Sequence, residues 1–252
     1  MLRLTREVRF AISDQPPAVA GKPSNSYGGF PTLGGLEMWL ALRITVSGEV
    51  NLQTSYLLNI QDIDEVVRQR GIPLLAEAVQ SSRPHDVMRS IFDALRGAWP
   101  AVQLDRVELV LSPFTILATS AEEFPMVRLN QKFEFSASHR LHNPDLTEVE
   151  NRQYFGKCNN AAGHGHNYEV QVSVRRKDAD LSNLVDLERA VKPVIDRWDH
   201  HHLNMEIPEF TQTNPTVENI AKILFGLLKP RVEGLAAVTV WETPKTWCEY
   251  SE

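Results

Sequence analysis

The stretch 133–174 constrains the fold more than any other part of the chain. Its first seven residues, FEFSASH, alternate apolar and polar side chains up to His139. The same two-residue period returns at His164, which shares one face with His166 and with every second residue to Val174. Because successive side chains point to opposite faces of a strand, this pattern predicts two half-buried β-strands.

Three histidines converge on one point if these two strands are neighbours. They are His139, His164 and His166. Three histidines that leave a fourth position open are typical of a catalytic zinc ion, because the open position takes water or substrate. A single histidine on a strand more often packs or faces solvent, and an H-x-H pair alone is a weak signal. The third histidine and the nearby Cys158 strengthen the interpretation, and we predict a Zn2+ site.

A series of motifs, spread in order over about the last half of the chain, carries a family resemblance. The motifs are F-x-A-x-H-x-L (135–141), GKCNN (156–160), GHGHNY (163–168), VDL (185–187), WDHHHLN (198–204), NPTVEN (214–219) and WETP (241–244). The series resembles the 6-pyruvoyl-tetrahydropterin synthase family, which also contains the 6-carboxytetrahydropterin synthases of deazapurine and queuosine synthesis. Five residues separate Cys158 from His164, as in the animal-type pyruvoyl synthases.

The resemblance implies a zinc-dependent lyase. Its reaction converts 7,8-dihydroneopterin triphosphate to 6-pyruvoyl-tetrahydropterin with loss of triphosphate. The three histidines match the family's zinc ligands, and Cys158 matches its catalytic base. Asp199 and His200 match the acid–base pair that completes the catalytic triad.

The resemblance also implies a pterin pocket. Glu242 matches the carboxylate that anchors the ring, since a carboxylate can accept two parallel hydrogen bonds from a 2-aminopyrimidinone edge. Thr216 and Glu218 stand where the family lines this pocket. A carboxylate on an apolar strand is costly unless a ligand or a partner satisfies it, which favours a functional role for Glu242.

Composition limits the classes of protein to which the chain can belong. With 42% hydrophobic and 23% charged residues, the 252-residue chain reads as a globular protein with one large or two small domains. A formal net charge of -6 argues against a nucleic-acid surface. Two widely separated cysteines indicate a reducing compartment, and no segment reads as a signal peptide or a membrane span. We therefore expect a cytoplasmic protein whose partner is a small-molecule pterin, without nucleic acid or membrane.

The two halves of the chain read alike. Residues 107–115 (VELVLSPFT) align without a gap with 238–246 (VTVWETPKT), and 40–46 (LALRITV) align with 168–174 (YEVQVSV). The counterparts of the three histidines and Glu242 are Asp14, Leu36, Met38 and Leu111. We predict a degenerate, non-catalytic repeat at 1–125 and a catalytic, zinc-binding domain at 126–252.

Each half is predicted to run strand–strand–helix–helix–strand, with room for one more strand. Residues 14–35 are rich in Pro, Gly and Ser and read as a loop. Helices are predicted at about 60–70 and 86–99, from about Asp186, and from Pro215 with Asn214 as the N-cap.

The resemblance implies an α+β fold, the tunnelling fold, in which two helices pack on one face of an antiparallel sheet. In the family, sheets of neighbouring subunits join into a barrel, which satisfies their exposed edges. With two such units per chain we predict a homo-oligomer, most simply a trimer or a higher assembly, with active sites between subunits.

Two other functions remain open. A 6-carboxy-5,6,7,8-tetrahydropterin synthase uses the same residues but expels a two-carbon fragment. A zinc-stabilised pterin-binding or assembly module would keep the metal site without turnover.

Overall fold

A computed structural model describes residues 1–13, 21–81, 86–177 and 183–252. These residues form two compact units. The first unit is built from the described residues of Met1–Asn130 and Arg175–Leu181, and the second from those of Gln131–Val174 and Ser182–Glu252. Asp14, the predicted counterpart of His139, lies outside the described residues, as does part of the predicted 14–35 loop.

The described residues of the first unit form four strands and three helices, with a π-helical segment, Val67–Gly71, between α1 and α2. In chain order they are β1 (Leu2–Ile12), β2 (Met38–Gly48), α1 (Ile60–Val66), α2 (Ile72–Ser81), α3 (Val87–Leu95), β3 (Gln103–Ser112) and β4 (Thr115–Ser120).

The second unit holds the predicted zinc-binding histidines. Its elements are β5 (Val127–His139, of which the first four residues belong to the first unit), α4 (Glu148–Phe155), β6 (His164–Arg176), α5 (Asn183–Ile195), β7 (His201–His202), α6 (Leu203–Glu206), α7 (Val217–Leu228), β8 (Leu235–Thr243) and β9 (Thr246–Ser251). Short 3₁₀ helices span Gly156–Asn159 and Pro208–Phe210.

The two predicted strands of the 133–174 stretch are confirmed as β5 and β6, which are hydrogen-bonded neighbours. Phe135, Ala137 and His139 are buried on β5, whereas Ser136 and Ser138 between them are partly exposed. The side chains of Tyr168 and Phe135 stack with ring centroids 4.8 Å apart. Alternate residues are therefore buried, as the predicted two-residue period requires. The three histidines lie together at one end of this strand pair.

The antiparallel registers of the two units agree position by position. In the first unit Ala41 pairs with Val110, and the ladder shifts between Thr45 and Val46. In the second unit Glu169 pairs with Trp241, and the ladder shifts between Ser173 and Val174. The hairpins also correspond, since Ser112 pairs with Thr115 and Thr243 with Thr246, each beside a bulge. All of these pairs match the alignment of 40–46 with 168–174 and of 107–115 with 238–246.

The predicted helices exist, but several begin elsewhere. Helix α7 starts at Val217 with Thr216 as its N-cap, so the prediction of Asn214 as the cap was wrong. The Asn214 side chain instead accepts the main-chain N–H of His142 at 3.0 Å, which removes it from capping. Helix α5 begins at Asn183 rather than near Asp186. Helix α4 was not predicted, although Thr147 and Glu150 form a capping box at its start.

The second unit is held together by an aromatic core. Trp198 is fully buried, with its ring 5.9 Å from Phe135 and 5.1 Å from Phe210 in edge-on contacts. Helix α7 packs its apolar face on β8 and β9 and contacts α5. Burial of such apolar area is the main favourable term in folding. The packed layer of apolar side chains therefore supports the strands that carry the functional residues.

No helix among the described ranges is both long and apolar enough to cross a bilayer.

Candidate metal and substrate site

Four side chains converge at the start of β6. Their potential ligand atoms, from His139, His164, His166 and Glu242, all lie within 4.8 Å of one another. Nε2 of His139 is 3.1 Å from Nε2 of His164. Oε1 of Glu242 is 3.2 Å from Nε2 of His139 and 3.3 Å from Nε2 of His166. The convergence of the three predicted histidines is thus present, and Glu242 has joined them.

His139 is oriented by a main-chain acceptor. Its side chain is fully buried, and its Nδ1 lies 2.7 Å from the carbonyl oxygen of Pro215. A carbonyl can only accept, so Nδ1 carries the proton and Nε2 presents its lone pair to the cluster. The Tyr168 hydroxyl lies 3.4 Å from the same Nδ1. This second contact restrains the ring further, as outer partners of metal-ligating histidines commonly do.

Electrostatics favours neutral imidazoles at His164 and His166. Burial lowers the pKa of His164, and His139 and His166 lower it further. Burial also lowers the pKa of His166, although Glu242 opposes the effect. The pKa of the Glu242 carboxyl is lowered in spite of burial, first by its contact with His139 and then by His166 and His164. Neutral imidazoles and an ionised carboxylate are the forms that ligate a metal.

The cluster has the character of a cation site. Nε2 of His166 is buried and makes no hydrogen bond, because its approach to Glu242 is close but not aligned as one. Lone pairs of several imidazoles and a carboxylate that face each other at this distance repel unless a cation lies among them. Nitrogen and oxygen donors of this kind suit zinc. The residues present therefore fit the Zn2+ ion that the sequence predicts.

Cys158 lies on the 3₁₀ helix after α4. Its main-chain carbonyl accepts the N–H of Leu141 at 2.9 Å, which ties this segment to the end of β5. Burial first, and then Glu242 and Cys158, raises the pKa of the Tyr168 hydroxyl, so that hydroxyl stays protonated. Asn159 supports the segment, since its side-chain amide donates to the carbonyl of Leu141 at 2.8 Å.

Asp199 and His200 form the predicted pair. Oδ2 of Asp199 is 2.8 Å from Nδ1 of His200, and Oδ1 accepts the main-chain N–H of Ser136 at 2.8 Å. The Ser136 N–H first, and then His200, lowers the pKa of Asp199, which is consequently ionised at neutral pH. His200 has a positive φ of 60°, which is uncommon for a residue with a side chain and is typical of functional sites.

The pair is not joined to the thiol within one chain. The His200 side chain is 81% exposed. It borders a cavity of about 450 Å³ with Ser136, Ser138 and Asn167, whose positions on β5 and β6 alternate with those of the buried cluster. In the part of the chain that the structure describes, Cys158 shares no hydrogen bond or ion pair with Asp199 or His200. Within the described residues, hydrogen bonds and ion pairs therefore do not connect the three residues of the predicted triad.

Thr216 and Glu218 have structural partners. The Thr216 hydroxyl accepts the N–H of Asn219 at 3.4 Å as the N-cap of α7. Glu218 is exposed in the first turn of that helix. Burial, followed by Glu218 and Glu249, raises the pKa of the Cys248 thiol on β9. Neither side chain contacts the four-residue cluster through a hydrogen bond or ion pair in the described structure.

Sequence reasoning missed three contributors. The Pro215 carbonyl and the Tyr168 hydroxyl, which orient His139, carry no motif of their own. Gly163 has a φ of +73°, and an added Cβ would lie 2.8 Å from Nε2 of His202 and 2.9 Å from the carbonyl oxygen of His139. The close approach at Gly163 is therefore to other parts of the protein.

Fold and site together define an α+β protein with a histidine–carboxylate cluster that could hold a metal ion at one end of an antiparallel sheet. A sequence-family model described as 6-pyruvoyl tetrahydropterin synthase matches residues 128–252. The 6-pyruvoyl tetrahydrobiopterin synthase of Drosophila melanogaster is 40% identical over 136 residues, which cover 50% of this chain and 80% of that protein. The chain belongs to the 6-pyruvoyl tetrahydropterin synthase family.

Two further relatives show the range of similarity. The structure of the Caenorhabditis elegans 6-pyruvoyl tetrahydropterin synthase is 37% identical, with a TM-score of 0.48, and covers 52% of this chain and 98% of its own. The 6-carboxy-5,6,7,8-tetrahydropterin synthase of Haemophilus influenzae is 28% identical over 159 residues, which cover 50% of this chain and 100% of that protein. Each of these two similarities covers about half of the chain, as the family model does.

Proposed function

We propose that the second unit is a zinc-dependent lyase that converts 7,8-dihydroneopterin triphosphate to 6-pyruvoyl-tetrahydropterin with loss of triphosphate. The observation that carries the proposal is the convergence of His139, His164, His166 and Glu242 within the region that matches the family. The three histidines would hold Zn2+. When bound, the metal would polarise the side-chain hydroxyls of the substrate and acidify the adjacent C–H bonds.

The chain's own residues handle the protons. The Cys158 sulfur would take a proton from the substrate side chain, for which the thiol must be partly ionised. The His200 imidazole would deliver or receive the second proton, and the Asp199 carboxylate, 2.8 Å away, would orient it and stabilise its charged form. The Glu242 carboxylate would accept two hydrogen bonds from the pterin ring, while Thr216 and Glu218 would line the pocket.

The test is a product assay by mass spectrometry. Purified protein with zinc is given 7,8-dihydroneopterin triphosphate, beside a Cys158→Ala variant as the control. A product with the mass of 6-pyruvoyl-tetrahydropterin, absent from the control, is the expected result. Turnover that survives in Cys158→Ala would contradict the role of the thiol.

A second candidate is a 6-carboxy-5,6,7,8-tetrahydropterin synthase, which the Haemophilus influenzae relative favours. The same assay separates the two, because this reaction yields 6-carboxytetrahydropterin and acetaldehyde. No turnover, with zinc still bound, would favour a zinc-stabilised pterin-binding or assembly module.

We further propose that the chain is a tandem repeat of the tunnelling fold, with a non-catalytic copy at 1–125 and a catalytic copy at 126–252. The matching registers and bulges of the two units support this proposal. Leu36, Met38 and Leu111 stand at the positions of His164, His166 and Glu242, so the first copy lacks those ligands.

We also propose that the chain acts as a homo-oligomer, a trimer or a higher assembly, whose sheets form a barrel. Within the described residues β1 has β2 as its one neighbour and β9 has β8, so each offers a free edge for another chain. The exposed Asp199–His200 pair, apart from its own Cys158, supports a triad shared between chains.

Mixing two inactive variants tests this sharing. Cys158→Ala and His200→Ala are each expected to be inactive. If each site takes its thiol from one chain and its imidazole from another, random reassembly of an equal mixture restores about one quarter of wild-type activity. No recovery, in a mixture shown by native mass spectrometry to have exchanged chains, would place the whole triad in one chain.

A further inference from the structure

The 3₁₀ helix that carries Cys158 is bonded to the residues that follow β5. The main-chain N–H of Leu141 donates to the carbonyl of Cys158 at 2.9 Å, and Nε of Arg140 donates to the carbonyl of Asn159 at 3.1 Å. The side-chain amide of Asn159 donates in return to the carbonyl of Leu141 at 2.8 Å and to Nδ1 of His142 at 3.2 Å. Four hydrogen bonds therefore join these two segments.

These bonds fix the Cys158 segment relative to the histidine cluster. Residues 140–142 directly follow His139, the buried histidine of β5. At the other end of the segment, the carbonyl of Asn160 accepts the N–H of Gly163 at 2.9 Å. Gly163 is the residue before His164, at the start of β6. The segment is thus bonded on both sides to main chain that adjoins candidate metal ligands.

The Cys158 thiol has no comparable restraint of its own. In the part of the chain that the structure describes, its Sγ makes no hydrogen bond. The direction of the thiol therefore depends on the main chain that carries it. Asn159 is the side chain of this segment that holds that main chain, because it is only 5% exposed and its amide supplies two of the bonds. A buried polar group that loses its partner costs about 1–3 kcal/mol, so removal of these donors favours another position of the segment.

We propose that Asn159 is a positioning residue for the lyase reaction: its side-chain amide holds the Cys158 segment where the thiol can reach the substrate. The inference rests on the proposed function, which gives the thiol the role of base. Asn159 takes up and releases no proton itself. It acts through Cys158, because a reacting group displaced by about 1 Å can lose about 100-fold in rate.

Asn159→Asp tests the proposal with little change in the shape of the side chain. The new oxygen faces the Leu141 carbonyl, and two acceptors repel instead of forming a hydrogen bond. The kcat for 7,8-dihydroneopterin triphosphate is expected to fall about 100-fold. The zinc content, and the Kd of neopterin measured by its fluorescence, are expected to remain at the wild-type values. The reason is that, within the described structure, Asn159 makes no hydrogen bond to the histidine cluster.

Asn160→Asp is the matched control, with the same change of charge one residue further on. The Asn160 side-chain oxygen accepts the N–H of Ala162 at 3.1 Å, and a carboxylate oxygen can accept the same bond. Its kcat is expected to stay near that of wild type. A second variant, Asn159→Ala, removes the amide without adding a charge, and is expected to lose kcat as Asn159→Asp does.

A double-mutant cycle distinguishes positioning from a general structural role. If Asn159 acts through the thiol, adding Asn159→Ala to Cys158→Ala should not lower the residual rate any further. A further loss in that background would overturn the proposal. Loss of zinc from Asn159→Asp would also overturn it, since the amide would then support the metal site. Equal losses of kcat in Asn159→Asp and Asn160→Asp would show that the added charge, rather than the lost bonds, is responsible.

Hydrogen exchange tests the attachment without turnover. The N–H of Leu141 is expected to exchange faster in Asn159→Asp than in wild type or Asn160→Asp, as measured by mass spectrometry of peptic peptides. Unchanged exchange in Asn159→Asp would overturn the positioning role. Failure of the lyase proposal appears separately, as the absence of product from the wild type.

Discussion

Nδ1 of His139 lies 2.7 Å from the carbonyl oxygen of Pro215, two residues before the first residue of α7. This bond joins the most buried ligand of the cluster to the loop that starts the main helix of the second unit. It also settles which nitrogen of His139 faces the metal position. The helix and the metal site are therefore mechanically connected, and variants of either should affect the other.

Zinc content is expected to depend on His164. Wild-type protein should carry about one zinc per chain, since one chain supplies one set of ligands. His164→Ala should lose it, because two histidines and a carboxylate retain metal poorly. Mass spectrometric metal analysis measures both. The matched control is His142→Ala, whose ring contacts Asn159 instead of the cluster. Full zinc in His164→Ala would contradict the ligand assignment.

Gly163→Ala is expected to damage both stability and metal binding. Its φ of +73° alone costs a residue with a side chain about 1–2 kcal/mol. The added methyl group would also lie 2.8 Å from His202 and 2.9 Å from the His139 carbonyl, so the start of β6 must shift. Gly97→Ala is the control, since Gly97 has a φ of +72° with no atom within 4 Å of an added Cβ. Urea unfolding and zinc titration compare the two variants, and equal losses would show that the contacts do not matter.

Trp198→Ala is expected to lower the free energy of unfolding of the second unit by about 3–5 kcal/mol, because a large buried side chain leaves a cavity. The residue is 0% exposed between Phe135 and Phe210. Urea denaturation followed by circular dichroism measures the change. Tyr154→Ala removes an aromatic ring that is 70% exposed, and is expected to change stability by at most about 0.5 kcal/mol. Similar values for both variants would refute the proposed core.

The contribution of Asp199 to stability is expected to depend on pH. Its pKa is lowered in the folded state by the Ser136 N–H and by His200. The stabilisation is therefore complete above the ordinary pKa of the carboxyl, and is lost as pH falls through the lowered folded-state pKa. Wild type should exceed Asp199→Asn in melting temperature at neutral pH and approach it in strong acid.

Asp196→Asn serves as the control for this titration. Its carboxylate makes a surface pair with Lys192, 3.5 Å away and one helical turn earlier. Such pairs contribute little to stability. A gap between wild type and Asp199→Asn that stays constant down to strong acid would argue against a stabilising ionised Asp199.

The convergence of His139, His164 and His166 was predictable because side-chain alternation is a local rule. Strand pairing then needed one assumption, that β5 and β6 are neighbours, and the structure confirms it. The place of Glu242 among the histidines was not predictable in this way. It depends on the register of β8 and on a bulge, both of which arise from pairing between distant segments.

Helix α7 shows the limit of local signals. Asn214 followed by proline is a strong start signal, but the structure begins the helix after Thr216. The Asn214 side chain is engaged by the His142 main chain, 72 residues away in sequence. A tertiary hydrogen bond thus decided between two acceptable caps. The hydrogen bond from His139 to the Pro215 carbonyl could not be predicted from the sequence either, because every residue type has a main-chain carbonyl.

Strand β5 carries two functional attachments on a common backbone. Ser136 holds Asp199 and His200 through its main-chain N–H and carbonyl, and His139 follows three residues later. At about 3.3 Å per residue, these anchor points stand about 10 Å apart along the strand. One inserted residue between them would lengthen that spacing by about 3.3 Å and turn His139 to the opposite face of the sheet. The number of residues between Ser136 and His139 is therefore fixed by the two attachments that this strand must place.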